Sequence, residues 1–467
     1  MPKTIFGTTE KSNFILNMKP STLQKWIAAM LMLCVIVPQV GNFVISATDG
    51  VSSFLAAFLY FTGFGSILFF IITMLKKELT FKDNKIYWVV IFMAVWAFAS
   101  YYGVVLRGGS SEDISTALEG EMGRYEGLLS LFAYFGIFLL ATAVTSTKTI
   151  RIIMDIIVGA GVVQAVIAVL QHIPGLDFLT KYADLPTLAL KNVMLSSGLS
   201  DSPIFYGSFL TLVTGVALLG AIFDKNNKRA IIYGAAAVLF WLTGLFTSSI
   251  VPLIGIGCDI IIAGIIAAVK NKSAEKTGKL SAPLVRFGVI FAAMAVVFAV
   301  VFFVQGIYIR DKAIAYYDAY YRLFIVTGFS YKLAENDSLY SIAWSRSFDF
   351  IKQHPILGVG PDCFVKAQAA DAAYELNQID RSYNEYIYIA ATRGIPSLAA
   401  YVAWMVYVIK RGVGRIKDTM ADNWYAAAML TAVAAYFVQA FFSASSVTVT
   451  PLLWLMAGLL CAKKVDK

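Results

Sequence analysis

Charge is scarce in this sequence. Of its 467 residues only 14% are Asp, Glu, Lys or Arg, where soluble domains carry about 25%. That shortage excludes a soluble multidomain enzyme, a disordered chain and a nucleic-acid reader, so no nucleic acid is expected as a partner. Histidine is nearly missing: His172 and His354 are the only two, which argues against a His-rich metal centre. Cysteine is sparse too. Cys34, Cys258 and Cys461 fall in apolar runs and Cys363 in a polar stretch, with no spacing that implies a disulfide framework or a zinc site. The N-terminal stretch MPKTIFGTTEKSNF is polar and shows no cleavable signal ahead of the first apolar run.

What the chain has instead is apolar length. Hydrophobic residues make up 59% of it, with 34 Phe, 24 Tyr and 8 Trp. A spanning helix needs about 20 mainly apolar residues, and twelve windows approach that. They are Trp26–Ala47, Val51–Leu75, Ile86–Leu106, Leu128–Ser146, Ile152–Leu170, Ile204–Phe223, Ala230–Phe246, Ile250–Val269, Phe287–Val304, Ile395–Val408, Trp424–Phe442 and Val447–Ala462. The expected fold is therefore an all-α polytopic membrane protein of about twelve transmembrane helices. Tyr386–Ala391 is either the first turns of the tenth span or a separate re-entrant piece.

Basic residues set the orientation, because they concentrate on the cytoplasmic side. If the N-terminus is cytoplasmic, the inward connections hold 25 of the 38 Lys and Arg. Both termini are then cytoplasmic, the expected location is the plasma membrane, and most of the net charge of +9 reflects topology. Three polar stretches face outward: Arg107–Gly127, Gln171–Pro203 and the long Gln305–Asn384. The expected organisation is 1–304 as spans one to nine, 305–384 as a large outer loop, and 385–467 as spans ten to twelve. Within the loop, Ser341–Gln353 puts Ile342, Phe348 and Ile351 on one helical face. Trp344 and Phe350 fall near its edges, as in an amphipathic helix at a membrane surface.

The most informative segments are His354–Phe364 (HPILGVGPDCF) and Asp380–Tyr401 (DRSYNEYIYIAATRGIPSLAAY). Both resemble motifs of the O-antigen ligase and Wzy-type O-antigen polymerase superfamily of membrane glycosyltransferases. Gly123–Leu128 (GRYEGL) is similar to an Arg-containing motif before the fourth span, and Gly198–Leu210 (GLSDSPIFYGSFL) to one entering the sixth. The resemblance implies a GT-C-like fold with a large extracytoplasmic loop between spans nine and ten. It also implies transfer of a glycan from a polyprenyl-pyrophosphate carrier, such as undecaprenyl pyrophosphate, to an acceptor hydroxyl on a glycan, lipid or protein. No cofactor and no metal are implied. The sequence departs from the family pattern at several positions. Tyr383 stands where the family has His, Tyr340 and Ile250 where it has Arg, and Asp201-Ser202-Pro203-Ile204 where it has an Asn-Pro-Asn core.

Such a reaction needs cations for the pyrophosphate, for which the fork of Arg is well matched, and an acceptor for the hydroxyl proton. Arg393, set about one turn into the membrane beside Tyr383 and Glu385, is expected to act with those two as the catalytic group. Arg124, Arg346, Arg381, Asn384 and Lys191 are expected to bind substrate. Each has a structural reading beside it: Arg393 as a snorkelling interface residue, Arg124 as the partner of Glu121 or Glu126, Tyr383 as an aromatic-belt residue. Gly358-x-Gly360-Pro361-Asp362 reads as a turn with Asp362 as a local cap. Two other readings stand next to the transferase: a catalytically degenerate relative that binds lipid-linked glycan or a partner, and a lipid-linked glycan transporter. The transporter should show two similar halves, and the sequence shows none.

Overall fold

The computed structural model describes residues 19–45, 51–82, 84–173, 196–200, 202–271, 281–321, 339–369, 379–419 and 424–462. Among them all regular structure is helical. In chain order the helices are α1 (Pro20–Ile45), α2 (Val51–Leu75), α3 (Ile86–Leu106), α4 (Ser111–Glu119), α5 (Leu128–Thr142), α6 (Thr147–Gln171), α7 (Pro203–Phe223) and α8 (Asn227–Phe246). They continue with α9 (Ile250–Asn271), α10 (Ala282–Tyr321), α11 (Leu339–Gln353), α12 (Phe364–Ala369), α13 (Glu385–Arg393), α14 (Ile395–Thr419), α15 (Trp424–Gln439) and α16 (Thr450–Cys461). A 3-10 turn, Ala440–Phe442, extends α15.

Apolar stretches of this length become helices because lipid offers no hydrogen-bond partner, so backbone groups must pair within the segment. Each of the twelve predicted windows holds a helix. Among the described residues nine are long and apolar enough to cross a membrane: α1, α2, α3, α6, α7, α8, α9, α10 and α15 with its 3-10 extension. The chain is a multi-pass helical membrane protein. The other three windows differ for identifiable reasons. Helices α5 and α16 are apolar but only 15 and 12 residues long, and α14 carries Lys410, Arg411, Arg415 and Lys417 in its second half.

Two helices form the interior. In α7 every residue from Tyr206 to Ile222 is buried, by packing against α8, α9 and α15. Helix α5 lies between α2 and α16. There Gly63 of α2 sits on Ala133, and Gly136 of α5 sits on the Gly63 carbonyl. A Cβ at either glycine would overlap backbone, the close approach that small residues permit between membrane helices.

Two shorter elements depart from the sequence reading. The loop helix forms as α11, but the face it buries centres on Ala343, Trp344, Ser347 and Phe350, with Phe348 and Ile351 only half-buried. The cover is protein: Phe364, Ile379, Tyr388 and Ala391 close over Trp344 and Phe350 in one apolar cluster. The second concerns Tyr386–Ala391, which belongs to the separate nine-residue α13. The helix stops at Gly394, whose φ of +83° suits glycine. A Cβ there would collide with the Ile356 carbonyl. Ile395 N–H turns to donate to Pro355 O at 2.8 Å, and Pro396 opens α14, where a missing N–H is harmless.

Candidate functional site

Four connecting segments converge near the end of α3. The first is the loop 120–127 between α4 and α5. It closes on itself because Gly120 and Gly127 touch backbone to backbone, and Gly120 has a φ of +106°. The second is the turn 354–364. Its Val359 and Gly360 amides donate to the carbonyls of Ala391 and Thr392 at 3.0 and 2.9 Å, which satisfies the open C-terminal end of α13. Helix α3 holds this junction from below. Ser100 Oγ lies 2.6 Å from Leu357 O and 3.2 Å from Thr392 O, and Trp96 Nε1 donates to Arg393 O at 3.2 Å. Arg107 donates to the carbonyls of Gly358 and Val359, both at 3.0 Å. The third segment, 379–384, leads into α13 through Asn384, whose side chain caps the helix by accepting from Tyr386 and Ile387 N–H at 3.1 Å each. The fourth is the stretch around Ser445 between the 3-10 turn and α16.

A network of charge ties these segments together. Asp362, whose side chain is fully buried, accepts from the Glu121 and Glu126 amides at 2.7 and 3.3 Å and from the Tyr388 hydroxyl at 2.7 Å. It pairs with Arg124 at 3.1 Å. It is thus a long-range tie where the sequence suggested a local cap. Arg124 also donates to the Asp380 carbonyl at 2.5 Å and lies 3.7 Å from its carboxylate. Arg381 bonds Asp380 at 2.9 Å, Glu126 at 3.5 Å and the Ser445 carbonyl at 2.8 Å, with Phe205 under its guanidinium at 4.8 Å.

Burial and partners set the protonation of these groups. Burial opposes the charge on Arg381, but Asp380 and Glu126 outweigh it and its pKa rises above the ordinary arginine value. Arg124 is raised in the same way, burial being overcome by Asp362. Asp380 is lowered, because Arg381 and Arg124 outweigh its desolvation. Glu126 goes the other way. Its complete burial, opposed by Arg381 but aided by Asp362, lifts it from 4.5 to about 7.

Beneath the network lies a cavity of about 30 Å³, enough for a water or two. Glu126, Tyr134, Asp362, Glu385, Tyr388, Tyr401 and Arg393 line it, over an apolar floor of Leu131 and Trp454. The carboxylates differ in commitment. Glu385 accepts from the Tyr401 and Tyr436 hydroxyls at 2.7 and 3.1 Å, one to each oxygen. Asp362 is saturated as described. Among the described residues, Glu126 Oε1 and the Tyr134 hydroxyl are buried without a well-aligned hydrogen-bond partner, and such groups are uncommon unless something is meant to meet them. The guanidinium of Arg393 makes no ion pair or hydrogen bond among the described residues.

The structure therefore sorts the sequence candidates. Arg393 and Glu385 line the cavity together. Arg124 and Arg381 lie in the network above it, and Arg124 pairs with Asp362 and Asp380 instead of Glu121 or Glu126. Tyr383 donates its hydroxyl to Asp380 at 3.0 Å, at a φ of +50°, and is not among the cavity-lining residues. Asn384 is committed as the α13 cap. Arg346 lies half-buried on α11. Lys191 lies outside the described residues. Sequence reasoning missed Glu126 as a lining group, and Tyr134, Tyr388 and Tyr401 altogether. The available signal was the acid-rich stretch 119–127, where Glu126 sits beside Gly127, whose contact with Gly120 closes the loop.

No curated protein matches the chain. A family model described as O-antigen ligase matches residues 235–402, which run from α8 through the loop turn, α13 and the start of α14. The matched segment thus contributes Asp362, Glu385 and Arg393, while Glu126 comes from outside it. This segment, just over a third of the chain's length, is similar to O-antigen ligases.

Proposed function

We propose that the protein transfers a glycan from a polyprenyl-pyrophosphate carrier to an acceptor hydroxyl, with the reacting atoms at this cavity and the bulk of donor and acceptor outside it. The site lies on the outer side of the plasma membrane, in a chain of twelve spans with both termini cytoplasmic. One observation carries the reading: Arg393, with no ion pair or hydrogen bond to its guanidinium among the described residues, stands among carboxylates and hydroxyls in a partly enclosed cavity. Breaking the bond between the sugar and the pyrophosphate leaves negative charge on a phosphate oxygen. A fixed guanidinium stabilises that charge as it develops and needs no reorganisation at the moment of reaction. Arg124 and Arg381, already neutralised by carboxylates, hold the walls in place. The hydroxyls of Tyr388 and Tyr401, anchored on Asp362 and Glu385, offer oriented groups to a sugar ring.

The test uses membranes of cells that make the full chain and a radiolabelled lipid-pyrophosphate-linked glycan, following label as it leaves the lipid-pyrophosphate fraction. Arg393→Ala is expected to slow transfer by about 100-fold or more, the usual cost of losing one preorganised donor. Arg393→Lys should recover part of it. A wild-type rate in Arg393→Ala would overturn the assignment. Binding of the labelled donor by the wild type without any transfer would favour the binding-only relative.

A further inference from the structure

We propose that Glu126 is the general base of this site, a catalytic residue that takes the proton of the acceptor hydroxyl through its free Oε1, with Arg381 as the positioning residue that fixes the other oxygen. The inference rests on the glycan-transfer reading above.

Three carboxylates line the cavity, and only one has an oxygen to spare. Asp362 carries four interactions on its two oxygens. Each oxygen of Glu385 already accepts a tyrosine hydroxyl. Glu126 is 5% exposed at its side chain, directs Oε2 to Arg381 at 3.5 Å, and leaves Oε1 buried with no well-aligned hydrogen bond among the described residues, the Ser445 side chain lying beside the carboxylate. Tyr383, the sequence candidate for this role, is occupied by Asp380 away from the cavity. Glu126 is also held firmly in place. Its amide donates to Asp362, and the loop bearing it is closed by the Gly120–Gly127 contact. A base must be oriented before its basicity matters.

The step balances. The acceptor O–H proton passes to Glu126 Oε1 as the acceptor oxygen bonds the anomeric carbon. The bond from that carbon to the pyrophosphate oxygen breaks, and the electron pair leaves with the lipid pyrophosphate beside Arg393. Glu126 then returns its proton to water. The groups facing Glu126 are Arg124 on its own loop, Arg381 and Asp362 from the neighbouring segments, Tyr134 of α5, and Glu385, Tyr388 and Arg393 of α13, with Ser445 close by. Their sum holds the carboxyl at about 7, which places a general base near its most effective range at neutral pH.

The experiment is the same membrane assay run from pH 5.5 to 8.5 on wild type, Glu126→Gln and Glu126→Asp. Binding of inorganic pyrophosphate to the purified proteins and their elution from a sizing column serve as controls for the fold. Glu126→Gln keeps an acceptor for Arg381 but cannot take a proton. It should transfer about 100-fold more slowly or worse and elute as wild type does, with pyrophosphate binding within about twofold of wild type. The wild-type rate should fall about tenfold per pH unit below 7, and the residual rate of Glu126→Gln should be flat there. Glu126→Asp should restore the sloping limb. A Glu126→Gln rate within a few-fold of wild type, or a slow variant that keeps the wild-type slope, overturns the base assignment and leaves the Arg393 reading standing. Absence of transfer by the wild type overturns both.

Discussion

Asp362 shows how much one side chain organises here. It joins the 120–127 loop, Arg124 and Tyr388, so Asp362→Ala takes the nearer carboxylate from Arg124, leaving it Asp380 alone, and strands the Tyr388 hydroxyl and the loop amides. The expected loss is about 3–5 kcal/mol, read as a lowered thermal midpoint and a reduced folded peak in detergent. Glu126 gives a prediction of opposite sense to ordinary acid denaturation. Its folded pKa of about 7 lies above its ordinary 4.5, so the folded state holds a proton that the unfolded chain releases. The stabilisation is full below about 4.5 and is lost as pH rises through 7. The thermal midpoint of the wild type should therefore decline between pH 5 and 7, and Glu126→Gln should remove that decline. Asp380 behaves conversely: its depressed pKa stabilises the fold above about 3.8, and this is lost in stronger acid. That Arg393 and Glu385 lie close together was legible in the sequence because they share one short motif. The sequence did not disclose the Glu126–Arg381 pair, whose members are separated by 255 positions, since no local pattern records a contact of that range.

Helices were legible where apolar length dictates them, and each predicted window holds one. What periodicity could not supply was the neighbour. On α11 the pattern pointed to a lipid-facing side, whereas Trp344 and Phe350 pack on Phe364 and α13. The division between α13 and α14 was present in the sequence as Gly394-Ile395-Pro396, though only the crossing of Ile356 shows why the break is obligatory. This ranks two substitutions. Asn384→Ala removes the α13 cap and should cost about 1 kcal/mol. Gly394→Ala imposes a strained φ and a collision with the Ile356 carbonyl, and should cost more. Paired thermal melts of the two variants in one detergent check the order; equal midpoints would contradict it.

For the whole molecule, the separation of charge makes a topological prediction. The acid-rich 107–127 loop carries Met122, the most exposed large apolar side chain there, and the basic first turn of α8 carries Lys228. A membrane-impermeant maleimide should label Met122→Cys in intact cells and Lys228→Cys only after permeabilisation. The native thiols interfere little, because Cys34, Cys363 and Cys461 are buried and Cys258 is half-buried. Labelling in the reverse pattern would invert the orientation. The twelve-window plan and the charge asymmetry follow from composition, but the cavity does not. Its walls come from α5, the 120–127 loop, the 354–364 turn, α13, α14 and α16, brought together by packing that hydropathy cannot encode.

The junction of the 354–364 turn with α13 has a mechanical consequence. Val359 and Gly360 are riveted to Ala391 and Thr392 through the main chain, and Ser100, Trp96 and Arg107 fasten both partners to α3. One wall of the cavity cannot swing without breaking main-chain bonds in two segments and side-chain bonds from a third. It yields only when the surrounding helices do. The Val359 and Gly360 amides, though they sit in a turn, should exchange hydrogen with solvent as slowly as those of the α5 and α7 interior. Substrates then meet a fixed contour at this wall, and selection there works by exclusion of what does not fit.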